Sequence, residues 1–124
     1  MDSTSIAVPA KTEFISVVRA VVVSLAAQAS LSIDEVEDLR LASSEACVFL
    51  LRIAPAGRTI RATIDHAHGI IKIIASIDDV SARSGGADTE SVISWQILGA
   101  FAEGARMEWT PTGPALHLHR VGAS

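Results

Sequence analysis

The chain has a single cysteine, Cys47, in 124 residues. An internal disulfide is therefore excluded, and a lone thiol fits a reducing cytosol. Positive charge is also scarce: ten Lys and Arg against fourteen Asp and Glu leave a formal net charge of −4, and the cations are scattered. A nucleic-acid surface needs a basic stripe to neutralise phosphates, so direct nucleic-acid binding is not expected. The start, Met1-Asp2-Ser3-Thr4-Ser5, has no basic region of the kind that opens a secretory signal peptide. The run from Val17 to Ala29 is strongly apolar, but Arg19 and Gln28 interrupt it. It is too short to span a bilayer and reads as a buried helix, so no membrane association is expected and the chain is placed in the cytoplasm. Internal repeats and low-complexity tracts are missing. So are a P-loop, a Gly-rich phosphate cradle and the Gly-x-Ser-x-Gly turn of serine hydrolases.

What is present is core-forming sequence. Apolar residues make up 49% and charged residues 19%, which favours one folded domain over residues 1–124 and excludes general disorder. Thr4 to Val8 reads as a short edge strand stopped by Pro9. Glu13 to Ala29 places Phe14, Val17, Val18, Val21, Val22 and Leu25 at helical spacing. The next helix has a clear start. Ser32 and Glu35 form a capping box, and Leu31 and Val36 stand at the hydrophobic-staple positions. Its apolar face runs from Val36 through Leu39, Ala42, Ala46, Phe49 and Leu50 to Ile53, and Pro55 and Gly57 end it.

Thr59 to Ile64 and Ile70 to Ser76 read as strands joined by a turn over His66-Ala67-His68-Gly69. The stretch from Ile77 to Thr89, with Gly85-Gly86, reads as a loop. Glu90 to Ala102 is a candidate third helix with Gly104 at its C′ position. Ala105 to Thr110 and Ala115 to Val121 complete a last hairpin around Pro111-Thr112-Gly113-Pro114. The order β-α-α-β-β-α-β-β predicts an α+β two-layer sandwich: a mixed, mainly antiparallel sheet covered on one face by three helices.

Glu45 is the acid to watch, set in a mostly apolar stretch of the second helix with Phe49 one turn further along. An acid followed at that spacing by an amide would suit proton abstraction beside a bound cation; a phenyl ring offers no ligand. His66 with His68, and His117 with His119, are i, i+2 pairs that a strand would point to one face. A third ligand is not evident near either pair, so no metal is expected. Arg19 is a lone charge in an apolar helix, suited either to reaching water or to a bidentate contact with a partner. Asp34, Glu35, Glu37 and Asp38 suit the electropositive start of a helix.

The element order, together with Asp38-Leu-Arg-Leu-Ala-Ser-Ser-Glu45-Ala and Ser94-Trp-Gln-Ile-Leu-Gly-Ala-Phe-Ala-Glu-Gly-Ala, resembles the anti-sigma factor kinases of the GHKL ATPase superfamily, the RsbW and SpoIIAB type. The likeness is greatest to their divergent actinobacterial, UsfX-like branch. In that family a helix-2 Glu activates the serine of a partner, and an Asn four residues later holds the magnesium bound to ATP. Glu45 matches the Glu, but Phe49 stands at the Asn position. The family's Asp-x-Gly-x-Gly turn is matched by Ile77-Asp78-Asp79-Val80-Ser81-Ala82, without either glycine. Its second glycine motif is matched by Val92-Ile93-Ser94-Trp95, again without glycine. Glycine at such places lets backbone N–H groups approach phosphate closely.

The resemblance thus implies an anti-sigma factor that holds an alternative sigma factor and yields it to a STAS-domain anti-anti-sigma factor. It implies a homodimer and a partner contact at Arg19. The degenerate pocket of Phe49, Asp78, Asp79 and Trp95 implies no bound cofactor and no kinase activity. The alternative is an active serine/threonine kinase with an unorthodox ATP–magnesium site, in which Glu45 is the catalytic base.

Overall fold

Apolar residues at every second position give the sheet one buried face, and helical spacing of valine, leucine and alanine gives the helices the face that covers it. A computed structural model describes residues 1–53, 57–77 and 103–122. The strands are β1 (Asp2–Pro9), β2 (Thr59–Ala67), β3 (Ile70–Ile77), β4 (Glu103–Thr110) and β5 (Gly113–Val121). The helices are α1 (Ile15–Gln28), entered through a 3-10 turn at Thr12–Phe14, and α2 (Ile33–Ile53). The five strands form one sheet in the order β1-β2-β3-β5-β4. Every described pairing is antiparallel, where the sequence suggested a mixed, mainly antiparallel sheet. The α+β two-layer class is as expected; of its three helices, two are described, and Glu90 to Ala102 lies outside the described residues.

The core lies between helices and sheet. Ile60, Ala62 and Ile64 of β2, Ile71, Ile73, Ala75 and Ile77 of β3, and Leu116 and Leu118 of β5 are buried on the covered face. Val18, Val22, Leu25 and Ala26 of α1 and Leu39, Ala42, Ala46 and Leu50 of α2 meet them. Each fully buried leucine or isoleucine contributes on the order of 2 kcal/mol by transfer. The buried face of α1 is rotated from the expected one: Ile15 and Ala26 are inside, and Val17 is 44% exposed. In a run of valines every face is apolar, so spacing alone leaves the rotation open.

The capping box forms as read. Ser32 N–H donates to Glu35 Oε1 at 2.8 Å, and Glu35 N–H donates to Ser32 Oγ at 3.1 Å. Leu31, at the staple position, is buried. Ser30 adopts φ 64°, so a serine occupies the left-handed position that often ends a helix. The connection is tied to the sheet: Gly69 N–H donates to Ala29 O at 2.6 Å, and Gly122 N–H donates to Gly69 O at 2.7 Å. A Cβ on Gly122 would lie 3.0 Å from Leu31 Cδ2, so a side chain there would press on Leu31.

Two boundaries correct the sequence reading. Ala67 pairs with Ile70, so the β2–β3 turn is His68-Gly69 alone and His66 belongs to the strand. Gly104 lies inside β4 rather than at a helix C′ position, where the ladder with β5 shifts register between Glu103 and Arg106. Glycine suits such an irregularity as well as it suits a helix end.

Candidate functional site

α2 carries the candidate site because its two long edges have different surroundings. Leu39, Ala42, Ala46 and Leu50 lie along the centre of the buried face. Ser43 is buried beside them, and its hydroxyl is satisfied by donating to Arg40 O at 3.1 Å. Ser44 donates to the same carbonyl at 2.9 Å. Both hydroxyls are therefore spent on the helix itself and leave no free nucleophile on this turn. Arg40 in turn grips the Glu37 carboxylate with two nitrogens, Nε at 2.9 Å and Nη2. Hydrogen bonding to Arg40 holds the Glu37 carboxyl below its ordinary range.

Glu45 sits at the border of the buried face and is half-buried. Among the described residues its carboxylate has neither a hydrogen-bond donor nor a cation against it. Phe49, one turn on, is 4% exposed and belongs to the hydrophobic core. The structure thus separates the pair: an acid at the rim and a ring turned inward. Cys47 is buried on the other edge of the face, and burial pushes its thiol from 9.0 up to about 12, so it is an inert apolar side chain.

Arg19 is partly buried on α1, close in sequence to exposed Val17. It has no ion pair or hydrogen bond among the described residues, which leaves the guanidinium fork open. Asp78, Asp79 and Trp95 lie outside the described residues.

The histidines separate into different roles. His66 Nε2 and Thr4 Oγ1 are 3.1 Å apart across β1 and β2, while His68 is in the turn, so these two are not a strand-face pair. His117 and His119 do share a face of β5. His117 Nε2 is 3.2 Å from Glu108 Oε2, and its Nδ1 is 3.5 Å from Arg106 Nη2. No group of three or more metal-ligating side chains occurs among the described residues.

Sequence reasoning missed a hollow of about 550 Å³ on the uncovered face of the sheet, lined by Asp65, Lys72, Arg106, His117 and His119 among others. The only local signal was a lysine flanked by isoleucines in Ile70-Ile71-Lys72-Ile73-Ile74.

No family model matches the chain, and no curated protein matches it. Among solved structures it is similar to the crystal structure of the RsbU and RsbW domains of Rv1364c from Mycobacterium tuberculosis. The TM-score is 0.71 at 14% identity, over 98% of this chain and 32% of that one. The chain thus spans about a third of that protein's length, and at this identity the likeness is one of fold: an RsbW-like α+β sandwich. Among the described residues no helix is long and apolar enough to cross a membrane.

Proposed function

We propose that the protein is an anti-sigma factor that binds an alternative sigma factor directly and works without ATP chemistry. A STAS-domain antagonist would compete for an overlapping face and free the sigma factor. The burial of Phe49, one turn from the rim carboxylate of Glu45, is the observation that carries this proposal within an RsbW-like fold. A phenyl ring has no oxygen or nitrogen to offer a magnesium–nucleotide complex. In the core it supplies instead the packing that a filled site would otherwise give.

Glu45 is then a former catalytic position, and the residues of α2 do not fit ATP and magnesium. Arg19 supplies a partner contact: its rigid fork suits a carboxylate on another protein. With no phosphorylation by this chain, release is set by the abundance of the antagonist or by another kinase acting on it. Dimerisation through an uncovered surface is part of the same proposal.

The test is affinity purification of the tagged chain from its native host, with mass spectrometry of bound proteins and nucleotide analysis of the eluate. The expected outcome is a sigma factor and a STAS-domain protein in separate complexes, with no stoichiometric nucleotide. Recovery of neither protein, or of tightly bound ATP, contradicts the proposal.

A further inference from the structure

The two edges of the sheet are built differently. β4, at one edge, shifts register between Glu103 and Arg106 and carries the charges of Glu103, Arg106 and Glu108. A bulge and charges of this kind keep other strands from adding to an edge. β1, at the other edge, pairs with β2 without a shift from Asp2 to Pro9 and has no charge from Ser3 to Pro9. Among the described residues no strand lies beyond it.

Register decides which backbone groups of β1 face that open edge. Ala10 N–H donates to Arg58 O, and this pair continues the β1–β2 register. Even-numbered residues of β1 therefore turn their N–H and C=O groups to β2, and Ser3, Ser5, Ala7 and Pro9 turn theirs outward. The side chains of Ser3, Ser5 and Ala7 are small and exposed.

An antiparallel two-fold pairing of β1 with itself uses these groups fully in one register. Centred on Ser5, it sets Ser3 against the partner's Ala7 and Ser5 against the partner's Ser5, each pair exchanging both bonds. Centred on Ile6, it would set Ser3 against the partner's Pro9, which has no N–H to give. Centred on Thr4, it would carry Ala7 past Asp2, the first residue of the strand. The Ser5 register also matches charge. Arg61 of β2 stands beside Ala7, and Asp65 beside Ser3, on the uncovered face. Arg61, Ala7, the partner's Ser3 and the partner's Asp65 then form one row across the joint, and symmetry repeats it. Three strand spacings separate the two charged residues by about 14 Å between Cα atoms, within the joint reach of an extended arginine and an aspartate. Lys72 of β3 flanks Asp65 on its other side, so charge alternates along the row. Asp65 makes no ion pair among the described residues.

We infer that β1 is the joint of a homodimer, in which two copies of the chain share one continuous antiparallel sheet. The joint gives the dimerisation in the proposed function its surface and rests on that part of the reading. Its test uses the purified chain without sigma factor, so either can fail alone.

The test is sedimentation equilibrium with disulfide trapping. A dimer is expected, and Ser5→Cys should cross-link across it on oxidation, since a bonded pair stands about 5.5 Å apart. Cys47 is buried, so the new thiol is the one that reports. Ser3→Cys should not cross-link with itself, because the two copies of residue 3 lie about 13 Å apart along the strands. Ala7→Pro removes an outward N–H that β2 does not use, and should give monomers. Asp65→Arg should weaken the dimer about tenfold, and Asp65→Arg with Arg61→Asp should restore it. Both act through side chains alone, so they decide the matter should Ala7→Pro fail to fold. A monomer at every concentration, a dimer that Ser5→Cys does not cross-link, or one that Asp65→Arg leaves at full strength overturns the inference.

Discussion

Asp38 of α2 and Arg120 of β5 meet across the helix–sheet interface, with Oδ2 and Nη2 3.4 Å apart. The side chains are 31% and 23% exposed, so the pair is only partly screened by water. Arg120 Nε is buried without an acceptor among the described residues, so the guanidinium depends on Asp38. The acidic start of α2 thus also locks the helix onto the sheet.

Replacing Asp38 with Asn should lower stability by about 1 kcal/mol, the upper range for a partly exposed pair. Arg120→Met should cost less than Asp38→Asn, since it removes the buried, unpartnered nitrogen along with the charge. Urea unfolding of the two variants checks the order.

Phe49→Ala should destabilise by about 3–5 kcal/mol through the cavity left in the core. Phe49→Asn, which restores an amide, should destabilise as well, because the amide is buried at a site 4% exposed to solvent. Titration calorimetry of Phe49→Asn with ATP and magnesium should show no binding. Recovered binding would contradict the proposal that the chain works without ATP chemistry through several coordinated losses.

Cys47 should be unreactive to a thiol reagent in the native protein and react on unfolding, since burial raises its thiol to about 12. A thiol raised in the folded state is held neutral there while the unfolded chain ionises first. Its stabilising effect is therefore complete below about pH 8.5. It is lost as pH rises from there towards about 12. Cys47→Ala should flatten that alkaline slope in a denaturation series.

Arg19→Ala should leave the melting temperature unchanged and weaken sigma-factor binding by about 2 kcal/mol, the scale of an interface hot spot. Glu45→Gln should leave sigma binding unchanged. Loss of phosphate transfer to a STAS-domain protein in Glu45→Gln would instead support the kinase alternative.

Features whose cause lies within a few residues were legible in the sequence. Ser32 and Glu35 answer each other three positions apart, and the alternation in Thr59–Ala67 sets one face inward. Features decided by the third dimension were not. Val17 and Val18 are the same residue type, and only packing puts one at 44% exposure and the other at 2%. His66 is in a strand because β1 lies alongside, and Lys72 meets His119 only because β5 pairs with β3. At the candidate site the spacing of Glu45 and Phe49 was plain, but the inward turn of the ring depends on the core around it.

The most direct measurement is calorimetric titration of the purified protein with the sigma factor that the proposal expects affinity purification to recover, without nucleotide and again with magnesium–ATP. The two affinities should be equal, with no phosphate transferred on later addition of the STAS-domain antagonist. A complex that forms only with ATP, or tightens about tenfold in its presence, would contradict the proposal of nucleotide-independent binding.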